Sequence, residues 1–285
     1  MIYISSSCIK HNKIKDSIEE LVDNGFKNIE LSGGTEYYDG FEDDLLELRN
    51  KYNLNYICHN YFPPPKEHFV LNLASLDDEV YDKTVEHFKK SIYLSKKLGA
   101  KRFGFHAGFF IDIKVSEIGK KITKVALSNK DKAITRFING YKELQSLSDG
   151  LELYIENNVF SSTNAQTYNG NNLFMLTNSN EYNKLKDMIN INLLLDVAHL
   201  KVSSRTLNLN FEEELQYMIN QSNYIHISDN DALHDLNYKL EENSSLVHLL
   251  KEQNLSNKDF TLEIYDDMKN IKKTYSILKG IINDR

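Results

Sequence analysis

Ile2-Tyr-Ile-Ser-Ser-Ser-Cys-Ile9 is a short apolar run that ends in serines, and no glycine follows it. An open, doubly wound α/β sheet normally places a Gly-rich phosphate turn, G-x-G-x-x-G, at this point. Moving outward, Lys15-Asp-Ser-Ile-Glu-Glu-Leu-Val-Asp-Asn-Gly25 has helical spacing and a glycine stop, and a second apolar run follows. Eight such runs recur: Ile2–Ser5, Asn28–Leu31, Asn55–His59, Arg102–His106, Leu151–Glu156, Asn192–Asp196, Tyr224–Ile227 and Phe260–Ile264. Helix-like segments separate them. Residues 78–98 form the longest helix candidate, and Gly99 in Leu98-Gly-Ala-Lys101 is its C-cap. Amphipathic stretches also occupy about 131–147, 181–189, 211–220, 244–253 and 267–281. Alternation of this kind means parallel strands with crossover helices, and eight units close a barrel. The fold class is therefore α/β, a single (β/α)8 TIM barrel over residues 1–285. No linker or break in composition suggests a second domain.

Length and composition agree with this reading. A chain of 285 residues suits one α/β barrel, and 41% apolar residues can bury a large core. No apolar run is long enough to span a bilayer, so no membrane partner is expected. Met1-Ile-Tyr-Ile-Ser5 lacks the basic region and long apolar stretch of a signal peptide, so a cytoplasmic location is expected. Cys8 and Cys58 are too few for a disulfide framework and read as buried free thiols. The net charge of −7, with no basic run, argues against a nucleic-acid partner.

Three connections are long, at about residues 60–77, 109–130 and 157–180, after the third, fourth and fifth runs. Each leaves the C-terminal end of its strand, the active face of such barrels. They read as a lid over one mouth. The alternative, a mobile surface loop, applies best to residues 161–172, rich in Asn, Ser and Thr. Pro63-Pro-Pro65 stiffens the loop after His59.

The informative feature is where polar residues fall. His59, His106, Glu156, Asp196, His226 and Glu263 lie near the C-terminal ends of six consecutive runs, and His199 follows Asp196 by three. Each alone is ordinarily a hydrogen-bonded structural residue. Together, a closed barrel would crowd them into a mouth about a nanometre wide. Burying several carboxylates without compensation is very costly, and a divalent cation is the simplest compensation. Mixed imidazole and carboxylate donors suit Mn, Zn, Co or Fe better than Ca, and Mg is a further candidate. Asp196 could instead be only a helix N-cap. His234 and Asp235 are equally well further ligands or a solvated loop. His11, His68, His87 and His248 read as surface residues.

At these positions the chain resembles the xylose isomerase-like barrel superfamily, which includes sugar-phosphate isomerases and epimerases and endonuclease IV. The matching pieces are Gly25-Phe-Lys-Asn-Ile-Glu-Leu31, His59-Asn-Tyr-Phe62 with Val70-Leu-Asn-Leu-Ala-Ser75, Leu98-Gly-Ala100, Phe105-His-Ala-Gly108, Ile155-Glu-Asn-Asn158, Leu195-Asp-Val-Ala-His199, His226-Ile-Ser-Asp-Asn230 and Leu262-Glu263. The resemblance implies one ion on Glu156, Asp196, His226 and Glu263. It implies catalytic roles for Glu156 and Glu263, which exchange protons with a sugar-like substrate through an enediolate. His199, and with it His59 and His106, would contact that substrate. The endonuclease IV branch implies instead a second ion at His59 and His106 and a metal-dependent hydrolase. A third ion in that branch uses His199 and an Asp-x-His motif, for which this chain has Asp235-Leu-Asn237. The epimerase branch carries an Arg soon after the His of the seventh strand, and residues 228–235 contain none.

Overall fold

The computed structural model describes residues 1–118 and 120–283. Among them the strands are β1 (Ile2–Ser5), β2 (Asn28–Leu31), β3 (Asn55–His59), β4 (Arg102–His106), β5 (Glu152–Glu156), β6 (Asn192–Asp196), β7 (Tyr224–Ile227) and β8 (Asp259–Leu262). They pair in sequence order, all parallel, and β8 closes on β1. The helices are α1 (Ile14–Asp23), α2 (Phe41–Tyr52), α3 (Asp78–Lys97), α4 (Lys130–Leu147), α5 (Ser162–Thr167), α6 (Ser179–Met188), α7 (Val197–Thr206), α8 (Phe211–Gln221), α9 (Ser245–Glu252) and α10 (Met268–Asn283). No described helix is long and apolar enough to cross a membrane. Both cysteines are free and buried.

Period-two alternation builds the barrel wall. Ile4, Ile29, Leu31, Cys58, Phe103, Phe105, Leu153, Ile155, Leu193, Leu195, Ile225, Ile227, Phe260 and Leu262 join the large core shared with the helices. The intervening residues point inward. Tyr3, Ile57, Tyr154, Leu194 and Tyr224 form a separate apolar plug inside the ring. One step further along the strands the inward residues are His59, His106, Glu156, Asp196 and His226. Gly104 makes room for this layer. A Cβ there would lie 2.8 Å from Leu194 Cδ2 and 3.3 Å from the His59 ring.

Several expectations are corrected. The eighth strand runs Asp259–Leu262, so Glu263 sits one residue past it. A further helix, α2, lies between β2 and β3. Residues 161–172 are not a bare surface loop. They contain α5, and Tyr168 is buried and donates its hydroxyl to the Thr123 carbonyl at 2.8 Å. Ile111, Ile122, Phe160, Tyr168, Leu173 and Phe174 form a second apolar cluster, which joins the connections after β4 and β5. His87 is not a surface residue. It is buried on α3 among Tyr61, Phe69 and Phe88, with Nε2 3.3 Å from the Asn60 carbonyl. Burial pushes its pKa down to about 4, so it sits in the core as a neutral ring.

Candidate metal centre

The register of the barrel brings the predicted residues together. His106 pairs with Glu156 across β4 and β5, and Asp196 with His226 across β6 and β7. His59 Nε2 lies 2.7 Å from Glu156 Oε2, and His106 Nδ1 lies 3.2 Å from the same oxygen. The first contact is a hydrogen bond, whereas His106 Nδ1 lacks hydrogen-bond geometry to any partner. Around His226, Nδ1 is 3.4 Å from Glu156 Oε1, 3.6 Å from Glu263 Oε2 and 4.0 Å from Asp196 Oδ2.

Local structure fixes each donor. Asp196 is the N-cap of α7, where its Oδ1 accepts the His199 backbone N–H at 2.7 Å. The capping and cavity-facing readings of Asp196 are therefore both realised, one per oxygen. Asn157 braces this corner: its Oδ1 accepts the Asp196 N–H, its Nδ2 donates to the Asp196 carbonyl, and its own carbonyl lies 2.9 Å from His199 Nδ1. The Ser7 and Tyr265 hydroxyls both donate to Glu263 Oε1, at 3.1 and 2.8 Å, leaving Oε2 toward His226. Asp235 joins the mouth, with Oδ1 3.5 Å from His199 Nε2. His234 does not; it is exposed and paired with Asp231 at 2.8 Å.

Glu30 was not singled out from the sequence. It lies on β2 and is completely buried beneath the cluster, and its Oε2 accepts from His226 Nε2 at 2.9 Å. The available signal was a carboxylate at an inward position of an otherwise aliphatic strand. Asn157 was likewise quoted only as part of a motif.

The charges press on one another. Burial pushes the Asp196 carboxyl up to about 6 against the pull of His199. Burial also opposes ionisation of Glu263, but the neighbouring His226 imidazole, with Nδ1 3.6 Å from Oε2, overcomes it and holds Glu263 at about 2. Burial lowers both His199 and His226. Asp196, Asp235 and Glu156 nevertheless carry His199 up to about 10, and Glu30 and Glu156 lift His226 well above its ordinary value. Burial takes His106 down to about 4, only partly offset by Glu156.

The donor set fits a divalent ion. His226 Nδ1 is buried and makes no hydrogen bond, although three carboxylates surround it. Buried polar atoms are ordinarily satisfied, and an orphan at the focus of three acids is one that a bound cation would satisfy. Asp196, His226 and Glu263 place donor atoms within 4.8 Å of one another. Two further trios meet the same limit, His59–Glu156–His226 and His106–Glu156–His199.

Residues 18–281 match the family model described as xylose isomerase-like TIM barrel. The chain belongs to this family. Within it, similarity runs in two directions. A probable endonuclease 4 of Thermotoga maritima is 26% identical over 103 residues, which cover 36% of this chain and 28% of that protein. This match therefore spans little more than a quarter of the curated relative's length. A solved D-tagatose 3-epimerase-like protein superposes with a TM-score of 0.71 at 17% identity, covering 98% of this chain and 96% of that one. The IOLI protein with a bound zinc atom superposes with a TM-score of 0.66 at 14% identity, covering 99% and 98%. At these identities the structural likenesses show the fold alone. The solved structures of similar fold include sugar epimerases and an endonuclease IV, and one of them carries a bound zinc atom.

Proposed function

We propose that the chain is a divalent-metal-dependent isomerase or epimerase acting on a sugar or sugar derivative. The observation that carries this reading is the convergence of Glu156, Asp196 and Glu263 on the unpartnered Nδ1 of His226. These four residues would hold the ion. A bound divalent ion polarises a carbonyl and its neighbouring hydroxyl, which acidifies the adjacent C–H. The chain's residues then move the proton. Glu156 and Glu263 are ionised and reach the cavity from β5 and the end of β8, three strands apart round the ring. One removes a proton from carbon and the other returns it, which suits inversion at that carbon. His199, anchored by Asn157 on one nitrogen and facing Asp235 with the other, would bind a substrate oxygen. We also propose that the protein works in the cytoplasm on a small molecule, with no nucleic-acid partner.

A second reading, a metal-dependent hydrolase, draws support from His59 and His106 meeting on Glu156 Oε2. That trio could hold a second ion. Against a three-ion site, Asp235 faces His199 but Asn237 offers no imidazole.

The deciding experiment incubates the zinc- or manganese-loaded chain with a panel of ketoses in deuterated water. An epimerase washes deuterium into the position next to the carbonyl, read by NMR, with about one ion per chain. Two or more ions per chain, cleavage of an abasic-site oligonucleotide and no exchange would replace the first reading with the second.

A further inference from the structure

Among the described residues, Glu30 has no partner of opposite fixed charge. It lies in the barrel interior between the apolar plug and the ligand layer, and no described Lys or Arg side chain bonds to it. Three groups converge on its Oε2: the Tyr224 hydroxyl, the Thr261 hydroxyl at 3.0 Å and His226 Nε2 at 2.9 Å. Its Oε1 has no partner. Burying a carboxylate in such a place without a Lys or Arg partner is expensive, several kcal/mol even after relaxation. An aliphatic residue would complete the plug at lower cost, so the acid needs a reason.

The reason lies in the imidazole it touches. His226 has one nitrogen on Glu30, and the other faces Glu156, Asp196 and Glu263 without a hydrogen bond. Once the Nδ1 proton gives way to an ion, a ring whose Nε2 stays committed as a donor presents its Nδ1 lone pair outward. Tyr224 and Thr261, donating into the same oxygen, keep the carboxylate from swinging away. Thr261 is the register partner of His226 on β8, so the brace is built into the strand pairing.

We propose that Glu30 is a positioning residue for the metal centre: it fixes His226 with Nδ1 aimed at the ion and strengthens that nitrogen as a donor. This is the carboxylate–histidine–metal arrangement, whose outer partner typically contributes about 10–100-fold in affinity. The proposal rests on the metal-site reading above, and its test separates the two.

Zinc affinity of the chelator-stripped chain is measured by competition with a chromophoric chelator. Glu30→Gln keeps the shape and an acceptor oxygen but removes the charge. It is expected to weaken zinc by about 10–100-fold. Tyr224→Phe leaves the carboxylate–imidazole bond in place and removes only a brace on Glu30, so it should weaken zinc by about tenfold or less and by less than Glu30→Gln does. Affinity of Glu30→Gln within twofold of wild type would overturn the proposal while leaving the metal site intact. Failure of the wild type to bind zinc would overturn both. Should Glu30→Gln not fold, nitrogen NMR of the zinc-loaded wild type decides alone. Zinc on His226 Nδ1 with a proton retained on Nε2 supports the proposal, and the reverse assignment defeats it.

Discussion

The two ends of this barrel handle buried charge in opposite ways. At the N-terminal end, Arg102 pairs with Asp259 at 2.8 Å and lies over the rings of Tyr154 and Tyr224, 5.3 and 5.2 Å from their centres. The Met1 amino group also bonds to Asp259. Cation, carboxylate and aromatic faces close most of that account within the chain. At the C-terminal end, Glu156, Asp196, Asp235 and Glu263 meet four imidazoles. There, His106 Nδ1, His226 Nδ1 and Asp235 Oδ1 are left without hydrogen bonds. Folding leaves one buried donor at the first end, Arg102 Nη1, beside its ion pair, and three unpartnered atoms at the second, around the proposed ion. That asymmetry separates a structural polar cluster from a site, although both are built on inward positions of the same strands.

The largest expected break comes from removing charge at the mouth while keeping shape. Glu156→Gln and Glu263→Gln each retain an amide oxygen that can still face an ion. Metal should therefore remain with weakened affinity, while turnover falls by about 10²–10⁴-fold, the usual worth of positioned proton transfer. Metal content and turnover measured on the same preparations would test this. Full activity in both variants, with metal bound, would reduce these glutamates to ligands and place the base elsewhere.

Next comes pH, which acts on the mouth of the metal-free chain. His199 has its pKa raised from 6.5 to about 10, so its contribution is complete below pH 6.5 and lost as pH rises through about 10. Asp196 is raised from 3.8 to about 6, and the proton it retains favours the fold only below that window. Glu263, lowered from 4.5 to about 2, contributes stability above 4.5 that is lost as pH falls through about 2. His106 and His87, lowered from 6.5 to about 4, contribute stability present above 6.5 and lost as pH falls through about 4, which opposes Asp196. The metal-free chain should then be most stable near pH 6.5 and lose on the order of a few kcal/mol toward pH 10. Urea midpoints at about pH 6 and 8.5 should fall with chelator present and fall less with zinc, which replaces the protons. A metal-free midpoint that rises over this range would remove imidazolium–carboxylate pairing as what holds the mouth together.

Much of this contrast could be read from the sequence, because the mouth residues cap their strands. A polar residue that ends an apolar run stands out, and closure of the barrel then dictates that such residues meet. Glu30 escaped because it sits mid-strand, where Asn28-Ile-Glu-Leu31 reads simply as a strand; only the identity of the facing strands reveals that its inward oxygen meets His226. His87 escaped for a related reason. Helical periodicity shows which face is apolar, but not that the turn at Asn60 and Tyr61 folds back over it. Asp235 lies on a loop whose path the sequence does not dictate, so its place beside His199 rests on the antiparallel bridge between Asp229 and Tyr238.

A smaller effect belongs to the closed end. Arg102→Met keeps much of the volume and leaves Asp259 with only the Met1 amino group. Breaking a buried pair ordinarily costs about 3–5 kcal/mol, and partial exposure with a surviving cation should reduce this to about 2 kcal/mol. Zinc affinity should stay at the wild-type value, because the apolar plug of Tyr3, Ile57, Tyr154, Leu194 and Tyr224 lies between. A parallel loss of zinc would mean that the two ends are coupled through Tyr224, which stacks edge-on against both Tyr154 and His226.

The last effect, confined to substrate binding, sharpens the comparison within the mouth itself. His199 stands among the acids but differs from His226: its Nδ1 is committed to the Asn157 carbonyl, and its Nε2 points to Asp235. Its backbone N–H, not its ring, holds Asp196. His199→Ala keeps that N–H, so Asp196 should stay oriented and zinc affinity should change little. What disappears is a donor beside the cavity that can meet a substrate oxygen. A neutral hydrogen bond is worth about 0.5–1.5 kcal/mol and one from a charged donor about 1.5–3. KM should therefore rise from a few-fold to about a hundredfold, with kcat changing less. Steady-state kinetics and metal titration on the same variant separate the outcomes. A large loss of zinc with unchanged KM would make His199 a ligand in its own right. The pair His199–Asp235 would then be the start of a further ion site, and the balance would move toward hydrolysis.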